Sequence, residues 1–416
     1  MHLTYAIFLA FEIALAALTI AYYLTNSFFI KKFIGRYKVH LSPGRGPMAG
    51  DVSIVIPVYK EPEGVLRATL ESVRGQAKYV YVSGASSYRS IVEGFGYVFV
   101  EYSGRKRNVL SNAMRYVKTE YVMFLDSDTA IAPNLAASLR SRFTDGVGGV
   151  GSNVKVRING SLASYCGEFF ARLSSLLSIS MSYYGNVLLL NGVCSMYRTG
   201  LIRPLLESDE FINPRILGIR SVLGDDRQMT NYIIKRGYRA VIDFRTFAVT
   251  EPQPSMLLLA KQLSRWTKAG YTYFISEIKD GSIWSKSKLY IFNCFYIYSL
   301  PVLLIAVELH GLYPLLSHSG SIYLLERAAY GFIRSLQYAA HEPLIGMYDM
   351  LRIAEFASSA VLTVYMVKMT RRSHMEKTSR SIAKIMLSGL IILPMMFAIS
   401  IVSIAGIGSQ DNWLTR

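Results

Sequence analysis

Four long apolar runs bound what this chain can fold into: residues 4–24, 289–309, 350–369 and 385–406. Hydrocarbon offers no partner to a backbone N–H or C=O, so a run long enough to enter it has to be helical. The first, TYAIFLAFEIALAALTIAYYL, carries only Glu12 as a charge, and it lacks the basic start and short core of a cleaved signal peptide. Lys31, Lys32, Arg36 and Lys38 follow it, and KMTRRSHMEKTSRSIAK follows the third. Basic flanks stay inside, which places the intervening domain in the cytoplasm. Residues 310–349 hold only Arg327 and Arg334 as strong positives, as an outer loop should, and YLLERAAYGFIRSLQYAA within them suits a helix lying on the membrane. The fourth run is uncharged but contains Pro394, which removes a backbone donor. Two short halves at the interface, or a re-entrant dip, are expected there, giving three spans and a C-terminus inside.

Between the first and second runs the pattern alternates. DVSIVIPVY, KYVYVS, GYVFVEY and YVMFLDSD read as strands; EGVLRATLESV and RNVLSNAMRYV read as helices. That alternation predicts an α/β domain with a mostly parallel sheet, in which ligands bind at the carboxyl ends of the strands. Asp126 and Asp128 lie at such an end, two residues apart, so both carboxylates point the same way in an extended chain. Two hard oxygens there suit a divalent ion carrying a diphosphate. GVGGVG (146–151) lacks the spacing of a dinucleotide fingerprint and is read as a bend. Residues 161–185 form a long helix, and NVLLLNGVCSMYRTG a strand and turn.

The stretch from Gly224 to Trp266 gathers the most chemistry. Asp225 and Asp226 open a helix, where the N-terminal dipole favours carboxylates. YRAVIDFRTFAV is a strand, and a second, amphipathic helix carries Gln262, Arg265 and Trp266 on one face. An acid pair, a cation and a flat ring suit a sugar: a base for a hydroxyl, a charge for a phosphate, a platform for stacking. The net charge of +17 suits nucleic acid, anionic lipid or a phosphorylated substrate, and its clustering beside the apolar runs selects lipid and phosphate over nucleic acid. Cys166, Cys194 and Cys294 form no CxxC, and the six histidines show no metal spacing.

Taken in order, IVIPVYKE, GRKRNVLSNAM, FLDSDTAIAPNL, NGVCSMYR, FINPRILGIRSVLGDDRQMTNY, QLSRW and the terminal WLTR resemble the membrane-embedded family-2 glycosyltransferases, bacterial hyaluronan synthases above all, with chitin and cellulose synthases as wider relatives. The resemblance implies a cytosolic GT-A-type (Rossmann-like) mixed sheet domain, with transmembrane and interfacial helices. It also implies an inverting, processive enzyme that passes sugars from a nucleotide sugar, such as a UDP-sugar, to a growing β-linked polysaccharide and exports it. Asp226, with Asp225 beside it, becomes the catalytic base. Asp128 and Asp126 would hold Mg2+ or Mn2+. Gln262, Arg265, Lys106, Trp413, Thr415 and Arg416 would contact the donor diphosphate, the last three in a gating segment. Trp266, Asn191, Gly192, Cys194 and Ser195 would line the acceptor site. One departure stands out: after the second strand, where relatives carry an acid for uracil, this chain reads YVSGASS (Tyr81–Ser87). That leaves the nucleotide open. A lipid acceptor taking a single sugar, as in ceramide glucosyltransferases, is the alternative, and a non-catalytic membrane subunit a third reading.

The expected organisation is an N-terminal transmembrane helix (1–28), a basic linker (29–50), the cytosolic domain (51–252) and an amphipathic interface region (253–288). A transmembrane helix (289–309), an outer loop (310–349), another transmembrane helix (350–369), a basic loop (370–384), an interfacial or re-entrant segment (385–406) and the gating segment (407–416) complete it.

Overall fold

A computed structural model describes residues 2–36, 48–102, 104–317, 343–373 and 379–408. By contacts the chain forms two units, one of residues 1–28 and 295–368, the other of 29–294 and 369–416.

The second unit is built on one sheet. Its strands are β1 (Ala49–Pro57), β2 (Ala77–Gly84), β3 (Val98–Glu101), β4 (Tyr121–Leu125), β5 (Thr129–Ile131), β6 (Val147–Val156), β7 (Cys194–Arg198) and β10 (Arg239–Thr250). They lie in the order β3-β2-β1-β4-β7-β6-β10-β5, while β8 (Arg215–Ile216) and β9 (Ile219–Arg220) form a separate hairpin. β1 pairs in parallel with β2 and β4, and β6 with β10; β7 runs antiparallel between β4 and β6, and β5 antiparallel beside β10. The sheet is therefore mostly parallel, with six strands running one way, and is mixed through β7 and β5, which run against them. The inserted β7 is the physical reason: NGVCS has to turn back beside the acids that end β4. Val52, Ile54, Val55 and Ile56 of β1 are fully buried, as a strand covered on both faces requires.

The helices are α2 (Glu63–Ser72), α3 (Arg89–Gly94), α4 (Lys106–Met114), α5 (Leu135–Arg140), α6 (Leu162–Ser182), α7 (Thr199–Leu206), α8 (Asp209–Ile212), α9 (Asp225–Lys235) and α10 (Met256–Lys279). Leu66 and Leu70 of α2 and Leu135 and Leu139 of α5 share one core with Ile54, Ile56, Met123 and Leu125. Ser161 and Ser255 cap α6 and α10, each hydroxyl accepting an N–H three residues on.

The segment 146–151 is a correction. It enters the central strand β6 instead of bending, because its glycines admit neighbours where a side chain would collide. A Cβ on Gly149 would stand 2.5 Å from Leu190 and 2.7 Å from Ile233, and one on Gly151 would stand 2.6 Å from Ile242. Helix α9 touches the sheet through that gap.

Of the apolar elements, α1 (His2–Arg36) and α11 (Lys288–Ser317) are single helices, followed by α12 (Pro343–Ser373) and α13 (Ser379–Ala405). In the first unit Tyr22 stacks on Tyr296 with ring centres 3.8 Å apart. Among the described residues, Ala10–Arg36 and Ser381–Ala405 are long and apolar enough to cross a membrane, and Lys288–Leu304 of α11 is a shorter apolar stretch. Pro394 does not divide α13, which runs unbroken through it. Packing outweighs the lost donor: Gly389 lies against Phe169, the Cys166 thiol donates to the Ser388 carbonyl, and the Ser403 hydroxyl to the Ser264 carbonyl. The surface helix expected at 323–340 falls outside the described residues.

Candidate active site

Three chain segments meet at the carboxyl end of β4. Asp126 N–H donates to the Val193 carbonyl at 2.9 Å, which ties the β4 acids to the turn before β7. In the same turn Gly192 N–H donates to Asp226 Oδ2 at 3.3 Å, which ties that turn to the start of α9. Lys106, first residue of α4, places its ammonium 2.6 Å from Asp126 Oδ1. A Cβ on Gly192 would be 3.5 Å from Asp226 Oδ2 and 3.7 Å from Lys106 Nζ, so acid, lysine and glycine backbone are immediate neighbours. The sequence separates these groups by up to 120 residues, from Lys106 to Asp226. The fold makes them one cluster.

Helix α9 begins where it does because Gly224 takes a φ of 70°, and a side chain there would press on Tyr273. Arg227 N–H then donates to Asp226 Oδ1 at 2.8 Å. Burial, and then the charge of adjacent Asp225, push the Asp226 carboxyl up to about 6. Burial would raise Asp225 as well, but Lys106, Arg107 and Arg265 outweigh it and hold that carboxyl below its ordinary range. Two neighbouring acids thus have opposite characters: one stays ionised and the other is poised to take a proton near neutral pH. Burial disfavours the Lys106 ammonium, yet Asp126, Asp225 and Asp226 together keep it charged far above the usual range.

Asp128 accepts from the Thr129 hydroxyl at 3.1 Å and the Thr250 hydroxyl at 3.4 Å. Asp126 and Asp128, with Asp225 and Asp226 close by, outnumber Lys106, so the cluster suits a divalent cation. Asp225 Oδ2 is buried without a hydrogen-bond partner. Among the described residues no three acids, cysteines or histidines gather into a complete metal shell. Asp126 and Asp128 would share an ion with oxygens from elsewhere, as magnesium sites on phosphates do.

On α10, Arg265 lies within electrostatic reach of Asp225. Gln262 is half-buried a turn earlier, and Trp266 is 43% exposed with its ring stacked on Phe170 at 5.9 Å. Cys194 and Ser195, expected to line the acceptor site, are buried in β7, and the Ser195 hydroxyl is spent on the Asn191 carbonyl at 2.6 Å. Their hydrogen bonds shape the turn, and the accessible part narrows to Asn191 and Gly192. Asn191 itself donates to the Ser152 carbonyl at 2.8 Å. Trp413, Thr415 and Arg416 fall outside the described residues.

Sequence reasoning missed Glu61, which closes the turn between the β4 acids by accepting from Ser127 Oγ at 2.8 Å, and Arg107. The Arg107 guanidinium is buried and donates to the carbonyls of Phe211 and Leu223 and to Gln228, fixing the loop that leads into α9. Both stand inside motifs already singled out, Glu61 in IVIPVYKE and Arg107 in GRKRNVLSNAM. At the end of β2, a side chain at Gly84 would meet the Val58 carbonyl at 2.8 Å, so the turn that lacks an acid is also closed to one at that position.

The family model described as "Glycosyltransferase like family 2" matches residues 49–269, more than half the chain. The chain belongs to that family. It is a glycosyltransferase with a GT-A-like mixed sheet, related to hyaluronan synthases. Hyaluronan synthase 3 of Homo sapiens is 25% identical over 222 residues, 51% of this chain and 39% of that protein. Hyaluronan synthase 3 of Xenopus laevis is 30% identical over 194 residues, 45% of this chain and 34% of that one. This glycosyltransferase thus spans about two-fifths or less of the length of those curated relatives. Among solved structures, the mannosyltransferase PcManGT from Pyrobaculum calidifontis, in complex with GDP-Man and Mn2+, is similar with a TM-score of 0.54 at 19% identity, covering 85% of this chain and 98% of that one. At that identity the likeness is one of fold.

Proposed function

We propose that this glycosyltransferase transfers a sugar from a nucleotide donor to an acceptor hydroxyl by direct displacement, with Asp226 as base, and builds a β-linked polysaccharide that it passes through the membrane. The observation that carries the reading is the junction of Asp226, Gly192, Lys106 and Asp126. A carboxyl poised near 6 can take the acceptor proton as the hydroxyl attacks, and the anomeric carbon inverts. Arg265, Gln262 and Lys106 face the developing charge of the departing diphosphate, and Trp266 offers the acceptor a stacking face. Mg2+ or Mn2+ on Asp126 and Asp128 would supply Lewis-acid stabilisation of that diphosphate. Lys106 balances those acids at 2.6 Å from Asp126. Membrane lipids would surround the apolar helices, and the catalytic unit would lie on the cytoplasmic side.

A second reading rests on the acid-free turn after β2 together with the solved mannosyltransferase, whose donor is GDP-Man: the donor here would carry a base other than uracil, and one sugar would pass to a lipid. Purified protein incubated with UDP- and GDP-sugars, followed by released nucleoside diphosphate and product size, separates the two. A polymer retained on a sizing column supports the first reading, and a solvent-extractable glycolipid overturns it in favour of the second. Activity that persists in EDTA would remove the metal from either.

A further inference from the structure

Helix α9 buries polar side chains where an amphipathic helix would bury apolar ones. Arg227, Gln228, Thr230 and Asn231 are all buried, in the first two turns after Asp226. Arg227 and Asn231 leave the active site and enter a closed cluster with Glu277 of α10, Lys286, and Tyr290 of α11. Arg227 Nη2 donates to Glu277 Oε1 at 3.1 Å and to the Tyr290 hydroxyl at 2.9 Å. Asn231 Nδ2 donates to the same Glu277 oxygen at 2.7 Å, while Lys286 Nζ donates to Asn231 Oδ1 at 2.9 Å and lies 3.0 Å from Glu277 Oε2. The Tyr290 hydroxyl donates to Glu277 Oε2 at 2.7 Å. Glu277 thus meets Arg227, Asn231, Lys286 and Tyr290 on its two oxygens, and it is 2% exposed. Burial alone would raise its carboxyl; Arg227 and Lys286 instead bring it down to about 2.

Such a cluster is a poor source of stability, because removing ions from water offsets most of their attraction. It does fix geometry. Any turn of α9 about its axis would break several of these bonds at once. The residue that starts the cluster, Arg227, holds Asp226 Oδ1 through its own backbone N–H at 2.8 Å. We infer that Arg227, Asn231, Glu277, Lys286 and Tyr290 are positioning residues. By locking α9 to α10 and to the start of α11, they set where the Asp226 carboxylate meets the acceptor hydroxyl, and they hold Asp226 in register with Arg265 and Trp266 on α10. The inference rests on Asp226 as the base.

Glu277→Gln keeps the shape and removes the charge on which the cluster converges. The expected result is a fall in kcat of about tenfold to 100-fold, the scale of a misplaced catalytic group. Donor KM should stay within about twofold, because the donor groups are untouched. Glu277→Asp, which restores the carboxylate at a shorter reach, should lose less. Tyr290→Phe loses one hydroxyl and carries the same test should Glu277→Gln not fold, with a smaller fall in kcat and the same unchanged KM. A folded variant with wild-type kcat overturns the inference. So does a loss in which kcat falls and KM rises together in step with thermal stability, which marks general loosening. Failure of the underlying reading shows separately, as transfer that survives in Asp226→Asn.

Discussion

At the scale of single residues, environment divides the labour between two identical side chains. Asp225 and Asp226 are adjacent, yet Lys106, Arg107 and Arg265 keep the first ionised, while burial and the first acid raise the second to about 6. A base works only when deprotonated, so the sign is fixed. Below pH 6 kcat should fall about tenfold per unit, and above it level off. A kcat profile from pH 4.5 to 8 that shows no limb near 6 would remove Asp226 from the role. Asp226→Asn should abolish transfer while nucleotide binding persists. Spacing places the acid pair at the start of α9 and Gln262, Arg265 and Trp266 on α10, whereas Asp126 and Asp128, expected along an extended chain, flank a turn beyond β4 in which Thr129 N–H donates to the Asp126 carbonyl at 3.2 Å. What no spacing could reveal is that Gly192 donates to Asp226, or that Lys106 rests on Asp126, since those contacts depend on how β4, β7 and α9 converge.

At the scale of elements, the strands and helices of the catalytic unit follow from β-branched runs and caps, and the errors are instructive. GVGGVG, which lacks the spacing of a dinucleotide fingerprint and is expected to bend, is instead part of a strand: tertiary packing decides, because β6 must let Leu190 and Ile233 approach its backbone. The same physics makes a prediction. Gly149→Ala would drive a methyl to within 2.5 Å of Leu190 and 2.7 Å of Ile233. Overpacking of this kind costs about 1–3 kcal/mol. Because Ile233 sits on α9, the variant should lose activity as well as thermal stability. A variant as stable and active as wild type would mean that β6 and α9 do not meet this closely. The direction of β7 was illegible for a different reason: a strand's neighbour is chosen by long-range pairing, and NGVCSMYR reads the same in either direction.

At the scale of the whole molecule, α13 sets hydropathy against packing. By length and apolarity it qualifies to cross a membrane. Its burial pattern is inverted relative to a soluble amphipathic helix: Ile385, Ser388, Gly389, Ile392, Ser400 and Ser403 face inward, while Leu387, Leu390, Leu393 and Val402 are exposed. The small inward residues let it approach closely, meeting α6 near its start at Ser388 and Gly389 and α10 near its end at Ser403. A helix that lies on the catalytic unit at both ends cannot also carry its end to the far side of a bilayer, unless α6 and α10 cross with it. Taking exposed Lys261 of α10 to that depth would be costly. The expected arrangement is therefore a helix along the interface, apolar face in lipid, with both ends inside. Ala383→Cys and Gly408→Cys mark those ends; both positions are exposed, and Gly408 has open space around its would-be Cβ. The three native cysteines are buried and should stay silent. In intact cells a membrane-impermeant thiol reagent should miss both introduced cysteines, and after permeabilisation it should reach both. Labelling of one end alone in intact cells would make α13 a span, and would put everything beyond Gly408 on the side away from Asp226.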